Sequence, residues 1–466
     1  MKTLQQPRDR FEPNNPQFEI SNSQSEQSGY AWYVVLVLMV CYTLSFIDRQ
    51  ILSLLVGPIK QDLGVSDTRV GLLQGLAFAV FYTLLGLPMG RLADRRSRRN
   101  LIAAGVFFWS LMTALCSVAS SFWSLFSARL GVGVGEATLG PSAFSLIADY
   151  FPRERLARAL SVYSAGIFIG SGLALIVGGT VISAVTNLPA VEIPILGKMA
   201  SWRLTFLIVG IPGVLVGLLV YTIREPVRLG LLRRADGQIL RLNPREALAA
   251  MVSRWRSIVG VSTGLSAQAM CNYAVQAWAP TFFIRVFGWS PRRTGLMLGT
   301  MILLTGCFGM YAGGALCDKW RRERIAEAPL KVGVISTIGA GLFFGLAMSV
   351  QQPAWTLPVL MPALFFLAMP VGSSYAALQL IFPNQLRGQV SALLIFTINV
   401  GGLIMGPWLV GMLNDLLGPN MVGYSLAITV GLASVVSASL FRSTYRPYRA
   451  HYALMYECKQ GPSAAT

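Results

Sequence analysis

The chain has 466 residues, of which 54% are apolar and only 12% are charged. A transmembrane helix uses about 20 mostly apolar residues, so about twelve such helices account for nearly all of the apolar residues. This composition argues against a soluble multidomain enzyme. The only histidine, His451, lies near the C-terminus, which excludes Ser-His-Asp triads and histidine metal sites in the body of the protein.

The six cysteines form no C-x-x-C pair, and five of them lie in or at the ends of apolar runs. These five are Cys41, Cys116, Cys271, Cys307 and Cys317, whereas Cys458 lies in the C-terminal tail. We interpret the cysteines as small core residues and not as disulfide or metal ligands. The sequence contains no G-x-x-x-x-G-K-S/T loop and so no ATP-driven motor. We therefore expect no metal and no other cofactor.

Twelve apolar runs follow a polar N-terminal segment. Residues 1–29 contain three prolines and no apolar stretch, which predicts a disordered tail. Each of the following runs is long enough for a transmembrane helix, and we name them spans 1 to 12. They cover residues 31–57, 67–90, 101–119, 124–150, 159–185, 202–223, 257–284, 292–317, 330–350, 355–381, 389–412 and 421–441. The sequence therefore predicts an all-α membrane protein with twelve transmembrane helices.

The 38 basic residues predict how these spans are oriented in the membrane. With twelve spans both tails lie on one side, and 29 of the lysines and arginines fall in the tails and the loops of that side. Seven fall on the opposite side, and Arg49 and Arg129 lie inside spans. Because basic residues accumulate in cytoplasmic loops, we predict that both termini are cytoplasmic. The net charge of +18 thus reflects membrane orientation, and we expect no nucleic-acid partner.

A long basic loop divides the spans into two groups of six. Residues 224–256 carry eight arginines and separate residues 30–223 from residues 257–442, which predicts two six-helix bundles and a cytoplasmic tail over residues 443–466. The two halves repeat short sequences, since G-x-L-x-D follows spans 2 and 8 and Phe-Pro follows spans 4 and 10. Internal duplication with a ligand site between the halves is typical of secondary transporters.

The sequence motifs resemble those of the major facilitator superfamily. A G-x-L-x-D-R loop with trailing arginines occupies residues 90–99, Arg129 in span 4 is followed by alternating glycines, and spans 5 and 11 are rich in glycine. The strings SFIDR at residues 45–49, RLGVGVGEA at residues 129–137 and LIAD at residues 146–149 resemble the spinster family of lipid transporters. This second resemblance is strongest in the N-terminal bundle.

The resemblance implies the major facilitator fold and a cargo such as a lysophospholipid or a sphingosine-phosphate-like lipid, moved together with protons. It also implies that the loop after span 2 is a latch, in which Asp94 pairs with the other bundle to close the cytoplasmic side. We assign Asp94, Arg95, Arg98 and Asp318 to this gate. The alternative is a solvated loop that only sets the membrane orientation.

The expected location is the inner membrane of a bacterium. The chain contains no N-x-S/T glycosylation sequon, and its predicted external loops are short. Both features are typical of a bacterial member of such a family. We expect the protein to act as a monomer in the bilayer.

Four ionisable residues lie inside predicted spans, namely Asp48 and Arg49 in span 1 and Arg129 and Glu136 in span 4. A charge near the bilayer centre costs about 2.5–3.5 kcal/mol on insertion scales, so each needs a partner or a function. The helical rise places all four at similar depths, facing one cavity. We predict that the arginines bind an anionic or zwitterionic headgroup while Asp48 or Glu136 exchanges a proton. The alternative is a set of permanent ion pairs that only holds spans 1 and 4 together.

The C-terminal half has no charges at the positions in span 10 equivalent to those of span 4. Spans 7, 10 and 11 offer amides and hydroxyls among aromatic residues, which predicts a cavity charged on one wall and largely apolar on the other. The candidate cavity residues are Tyr42, Ser45, Asn272, Gln276, Tyr375 and Asn399. For each of them, hydrogen bonding between helices is the alternative role.

Three functions compete on this evidence. A cavity of mixed polarity favours proton-coupled transport of an amphiphilic lipid by alternating access. The second hypothesis is transport of a small organic anion such as a sugar acid, since many members of the superfamily with an arginine in span 1 do this. A membrane-embedded acyl- or phosphotransferase is the third. No span contains a histidine and each intramembrane acid lies beside a base, so we do not expect an enzyme.

Overall fold

The computed structural model describes residues 24–186, 192–193, 197–226, 249–350, 352–374, 377–382 and 384–460. Most of the predicted N-terminal tail and of the basic loop after span 6 lies outside these residues. The helix of span 12 extends past the predicted end of the span and continues as far as Gln460.

The N-terminal half contains spans 1 to 6. Their helices are Gln24–Leu54 for span 1, Asp67–Gln74 and Leu76–Arg95 for span 2, Arg98–Leu115 for span 3, Phe122–Glu136 and Leu139–Tyr150 for span 4, Arg153–Thr186 for span 5 and Ser201–Val220 for span 6. A short helix, Val56–Leu63, joins spans 1 and 2, and a 3₁₀ turn, Cys116–Val118, follows span 3. The antiparallel strands β1, Glu192–Ile193, and β2, Gly197–Lys198, lie between spans 5 and 6.

The C-terminal half contains spans 7 to 12. Their helices are Trp255–Phe287 for span 7, Pro291–Arg322 for span 8, Ala328–Ser349 for span 9, Pro353–Ala368, Pro370–Ser373 and Ala377–Leu380 for span 10, Asn384–Ile398 and Met405–Leu417 for span 11 and Val422–Gln460 for span 12. A π-helical turn, Asn399–Ile404, joins the two helices of span 11. The predicted all-α fold with twelve spans is therefore confirmed.

Local sequence signals set several helix boundaries. The hydroxyls of Ser66, Ser97, Ser121 and Ser290 each accept a hydrogen bond from a backbone N–H in the first turn of the helix that follows. Such capping satisfies an N–H group that has no partner within the helix. Gly288 ends span 7 with a positive φ of 65°, a conformation that glycine adopts without strain.

The helices match the requirements of a bilayer. Within the described residues, ten helical stretches are long and apolar enough to cross a membrane. The other two spans are span 7, whose helix Trp255–Phe287 has 33 residues, and span 10, whose apolar helix Pro353–Ala368 is shorter. Large apolar side chains such as Leu215 and Leu342 are about two-thirds exposed, at 67% and 65%, as expected for residues that face lipid.

Contacts between the helices repeat with a shift of six spans. In the N-terminal bundle span 1 packs on span 5, span 2 on span 4 and span 3 on span 6, and in the C-terminal bundle span 7 packs on span 11, span 8 on span 10 and span 9 on span 12. Between the bundles, span 1 meets span 7, span 5 meets span 8 and span 2 meets span 11. A shift of six spans converts the pair of spans 5 and 8 into the pair of spans 11 and 2, and the reverse. The bundles are therefore related by an approximate twofold axis, as the repeated sequence motifs predict.

The two bundles are joined most closely at the side opposite the termini, which we call the opposite side. There Gly172 of span 5 faces Gly299 of span 8, and a Cβ atom on Gly299 would lie 2.5 Å from the carbonyl oxygen of Gly172. Gly179 of span 5 and Pro291 of span 8 approach equally closely. Because such a distance leaves no room for a side chain, glycine is required for spans 5 and 8 to seal this side.

We expect the substitution Gly299→Val to open the opposite side, because the valine side chain forces spans 5 and 8 apart. The measurement is the distance between spin labels at Gln61→Cys and Arg292→Cys, two exposed positions of different bundles, in a chain whose native cysteines have been replaced. The label distance should increase. Gly345→Val is the matched control, since nothing lies within 4 Å of a Cβ at that position. An unchanged distance in a folded Gly299→Val protein would show that this contact does not hold the side closed.

Candidate substrate and proton-coupling site

An ion pair between spans 1 and 4 lies at the centre of the N-terminal bundle. Arg49 donates through Nε and Nη2 to Oε2 of Glu136, and the Nε distance is 2.7 Å. The hydroxyl of Ser45 donates to the same oxygen. The Glu136 side chain is fully buried, whereas 15% of the Arg49 side chain is exposed. Three donors therefore stabilise one carboxylate oxygen, and the pair presents its cationic member to the solvent-accessible space.

Three aromatic rings surround the Arg49 guanidinium. Its Cζ lies 4.2 Å from the ring centre of Phe78, 4.8 Å from that of Tyr82 and 5.2 Å from that of Phe46. A guanidinium over aromatic faces is stabilised electrostatically in a desolvated site. These rings were not among the residues predicted for the site. The spacing of Phe46 and Arg49, three residues apart on one helix, was the only local signal for them.

Asp48 and Arg129 lie behind this pair, and their placement corrects the prediction that all four charges face one cavity. Arg129 donates through Nη1 to the backbone carbonyl of Asp48 at 2.8 Å, and both residues are 1% exposed. Within the described residues neither Oδ1 of Asp48 nor Nε of Arg129 has a hydrogen-bond partner. Consecutive residues on a helix point about 100° apart, so Arg49 can face the cavity only if Asp48 turns into the bundle.

A cavity lies in front of Arg49 between the two bundles, and we call it the arginine cavity. It encloses about 450 Å³, including the part open to solvent. Spans 1, 2, 7 and 11 line it with Phe46, Arg49, Gln50, Ser53, Gln74, Phe78, Tyr273, Gln276, Ala277, Leu403 and Pro407. Among the described residues that line it, Arg49 is the only charged one, so the cavity can hold an anionic group.

A second cavity lies between spans 5, 7, 8 and 10, and we call it the distal cavity. It encloses about 510 Å³, again including the part open to solvent, and it shares Gln276 with the arginine cavity. Most of its lining is apolar, with Phe168, Val275, Ile302, Leu364 and Leu367 among the residues. Its polar lining residues are Ser171, Asn272, Gln276 and Thr305. The two cavities adjoin at Gln276 and together offer a charged compartment and a largely apolar one.

The structure brings some of the predicted cavity residues to these compartments and places others elsewhere. Asn272 and Gln276 line cavities as predicted. Ser45 instead supports Glu136, and Tyr42 stacks on Tyr163 at 5.0 Å between ring centres. Asn399 donates to the hydroxyl of Thr83 at 3.0 Å, which links spans 11 and 2. Tyr375 lies outside the described residues.

The predicted gate residues fall into two groups. Asp94, Arg95 and Asp318 are exposed on the side of the termini, and the structure records no side-chain ion pair for any of them in the described part of the chain. Arg98, in contrast, is buried within the N-terminal bundle, where it pairs with Asp149 and, at 2.8 Å, with Glu225. Asp94 therefore forms no described ion pair with the other bundle in this conformation, and Arg98 ties together the loops of its own bundle.

The opposite side is closed by an ionic cluster that the sequence analysis missed. Asp67, at the start of span 2, is 1% exposed and pairs with Lys60 and, across the bundles, with both terminal nitrogens of Arg285. Asp415 of span 11 accepts the backbone N–H groups of Asp67 and Thr68 at 2.9 and 2.8 Å. A carboxylate at a helix N-terminus is favourable, because the unpaired N–H groups there carry partial positive charge. In this conformation the central cavities are thus sealed from the opposite side.

The described residues contain no group of three or more His, Cys, Asp or Glu side chains that could hold a metal ion. The charged groups of the site are arranged for ion pairing and ligand binding. These groups can exchange hydrogen-bond partners and protons.

Comparison with known proteins identifies the class to which this architecture belongs. The family model described as Major Facilitator Superfamily matches residues 38–405. The chain therefore belongs to the major facilitator superfamily, and it is a multi-pass membrane transporter. The twelve helices in two related bundles are the fold of this superfamily.

Individual relatives narrow this assignment. A solved bacterial homolog of the human lysosomal transporter spinster, in an inward-facing and unoccupied conformation, superposes with a TM-score of 0.74 and 25% identity over 92% of this chain and 98% of that chain. An MFS-type efflux pump of Mycolicibacterium smegmatis is 28% identical and covers 93% of this chain and 97% of its own. A probable L-galactonate transporter of Escherichia coli is 28% identical over 69% of this chain and 68% of its own. The predicted resemblance to the spinster family is confirmed.

We expect Glu136→Gln to destabilise the folded protein by about 3–5 kcal/mol, because it leaves the Arg49 cation without its anionic partner in a buried site. The measurement is unfolding of the purified protein in detergent. Asp62→Asn is the matched control: it removes the charge from an exposed pair with Arg203, worth about 1 kcal/mol or less. If the free energy of unfolding falls equally in the two variants, the buried pair has no special role in stability.

The loop network of Arg98 predicts a dependence of stability on pH. Partial burial raises the pKa of Glu225, but hydrogen bonds from the Arg99 N–H, the Arg98 guanidinium and the Ser97 hydroxyl outweigh it and hold that pKa below the usual value of 4.5. Ionised Glu225 therefore stabilises the fold above pH 4.5, and this contribution disappears as the pH falls through the lowered pKa.

We expect Glu225→Gln to lower the thermal unfolding temperature at pH 7, with the difference from the wild type shrinking as the pH falls below 4.5. The measurement is a series of unfolding curves between pH 7 and pH 3. Glu323→Gln, at an exposed position on the same side, is the control and should leave the curves unchanged. A difference between Glu225→Gln and wild type that is the same at every pH would rule out ionisation as its cause.

Proposed function

We propose that this transporter moves an amphiphilic lipid with an anionic or zwitterionic headgroup, of the lysophospholipid or sphingosine-phosphate type. The observation that carries the proposal is the pair of adjoining cavities. Among the described lining residues, one cavity has Arg49 as its only charged residue and the other has mainly apolar side chains. A headgroup phosphate matches the guanidinium, and an acyl chain matches the apolar compartment. A ligand of one polarity leaves one of the two compartments without a matching group.

Proton coupling follows from competition for Arg49. A headgroup anion that binds the guanidinium competes with Glu136, whose Oε2 accepts both of the arginine hydrogen bonds. A buried carboxylate that loses its cationic partner is costly as an anion, so Glu136 takes up a proton as the headgroup binds. Asp48, held against Arg129 deeper in the bundle, positions span 1. Substrate binding and protonation are thereby linked at one residue.

Alternating access uses the two ends of the interface between the bundles. The Asp67 cluster and the contact of spans 5 and 8 close the opposite side in this conformation. The exposed residues Asp94, Arg95 and Asp318 form the latch that closes the other side when the protein turns over. We assign the side with the termini to the cytoplasm and the protein to the inner membrane of a bacterium, where it works as a monomer.

Transport of a small organic anion is the second candidate. The arginine cavity offers a cation that matches a compact carboxylate, and the similarity to a probable L-galactonate transporter favours this class. The apolar lining of the distal cavity argues for the lipid.

Competition binding separates the two candidates. We expect a fluorescent lysophospholipid to bind the purified protein in detergent and to be displaced by unlabelled lysophospholipid, with at least tenfold weaker displacement by galactonate. If galactonate displaces the fluorescent lipid at a lower concentration than unlabelled lysophospholipid does, the result favours the organic-anion transporter. Arg49→Lys keeps the positive charge but loses the two-pronged geometry, so it should weaken lipid binding.

Proton coupling is tested by measuring transport into liposomes with and without a pH gradient. Glu136→Gln should abolish the dependence on the gradient, whereas Asp48→Asn should keep it, because only Glu136 shares Arg49 with the substrate. Calorimetry of wild-type protein in two buffers of different ionisation enthalpy gives an independent measure, with about one proton taken up per ligand bound. Binding without proton uptake would exclude this coupling.

A further inference from the structure

A chain of three amide side chains crosses from the arginine cavity to the distal cavity. Gln50 of span 1 donates through Nε2 to Oε1 of Gln276 at 2.9 Å. Gln276 in turn donates through Nε2 to Oδ1 of Asn272. The carbonyl oxygens of Gln276 and Asn272 thus accept hydrogen bonds, and the NH₂ groups of Gln50 and Gln276 donate them. The NH₂ group of Asn272, which no other described residue accepts, remains as a donor at the distal cavity.

A second polar group of the distal cavity has no partner. Ser171 of span 5 is 1% exposed, and its hydroxyl makes no hydrogen bond with the described residues. A buried hydroxyl without a partner is unfavourable by about 1–3 kcal/mol. Thr305 lines the same cavity, but its hydroxyl already donates to the backbone carbonyl of Met301 at 2.6 Å. Ser171 and Asn272 are therefore the groups that remain to bind a ligand there.

From this arrangement we infer that Ser171 and Asn272 form a subsite for a neutral hydrogen-bond acceptor of the cargo. This acceptor is an ester or hydroxyl oxygen on the segment between the headgroup and the chain. The inference rests on the proposed lipid function. None of the described residues that line the distal cavity is charged, so the subsite does not match an ammonium or a second phosphate. The order along the cavities is a cation, two neutral donors and apolar side chains. An acylglycerol phosphate presents the complementary order of anion, acceptor and chain.

The test compares two lipids that each carry a phosphate and a monounsaturated chain of the same number of carbon atoms. One is 1-oleoyl-glycerol 3-phosphate, which has ester and hydroxyl oxygens, and the other is oleyl phosphate, which has neither. Wild-type protein should bind the first about three- to tenfold more tightly, the effect of one or two neutral hydrogen bonds. Ser171→Ala should remove most of this preference while leaving the affinity for oleyl phosphate unchanged. Asn272→Leu should act in the same direction.

Two controls separate this subsite from a structural role. Ser171→Ala removes a hydroxyl that has no partner among the described residues. The unfolding temperature of this variant should therefore be at least that of the wild type. Thr305→Val removes a hydroxyl from the same cavity wall, but this hydroxyl already donates to the carbonyl of Met301. The variant should keep the wild-type preference for 1-oleoyl-glycerol 3-phosphate. Equal affinity of wild-type protein for the two lipids, or a preference that survives Ser171→Ala, would overturn the subsite but leave the lipid transporter intact. Failure of both lipids to bind would overturn the proposed function itself.

Discussion

The pairing of Arg49 with Glu136 is the constraint around which the rest of the site is organised. A lone arginine at this depth is costly in a medium that cannot solvate it, and a lone glutamate is no better. Three aromatic rings and the Ser45 hydroxyl complete the surroundings of the pair. Span 4 can deliver Glu136 to this point because it packs closely on span 2, where a Cβ on Gly133 would lie 2.3 Å from the carbonyl oxygen of Phe78. The alternating glycines of span 4 thus serve the ion pair as well as the packing.

The sequence predicts the fold almost completely, because the bilayer restricts what a chain can do. Apolar runs must be helices, basic loops must lie on one side, and a repeated loop motif implies two related bundles. The same reasoning placed Asp48, Arg49, Arg129 and Glu136 at similar depths, because an ionisable residue inside a span needs a partner or a function. Polarity alone singled out Asn272 and Gln276 as candidate cavity residues. The prediction of twelve helices succeeds because a bilayer permits few other structures.

Other parts of the site depend on geometry that sequence patterns do not contain. Asp48 and Arg49 are neighbours in the chain, and only the packing decides which of them faces the cavity. Asp67 and Arg285 lie at helix ends, where a charge is ordinary, so nothing in the sequence marks them as partners across the bundles. Arg98 belongs to the loop that we predicted to be a gate, yet it is buried and pairs within its own bundle. Long-range contacts of this kind require the arrangement of all the helices.

The unequal distribution of charge over the two bundles has a mechanical consequence. In the described part of the chain, the only charged group of the arginine cavity comes from span 1. Ten of the thirteen described residues that line the distal cavity come from spans 7, 8 and 10. In the proposed cycle, a molecule that fills both compartments is held at its anionic end by Arg49 of the first bundle and along its chain mainly by the second bundle. It therefore exerts a force between the two bundles when they move, and its length and stiffness enter the energetics of that movement. A molecule held by Arg49 alone moves with one bundle and exerts no such force.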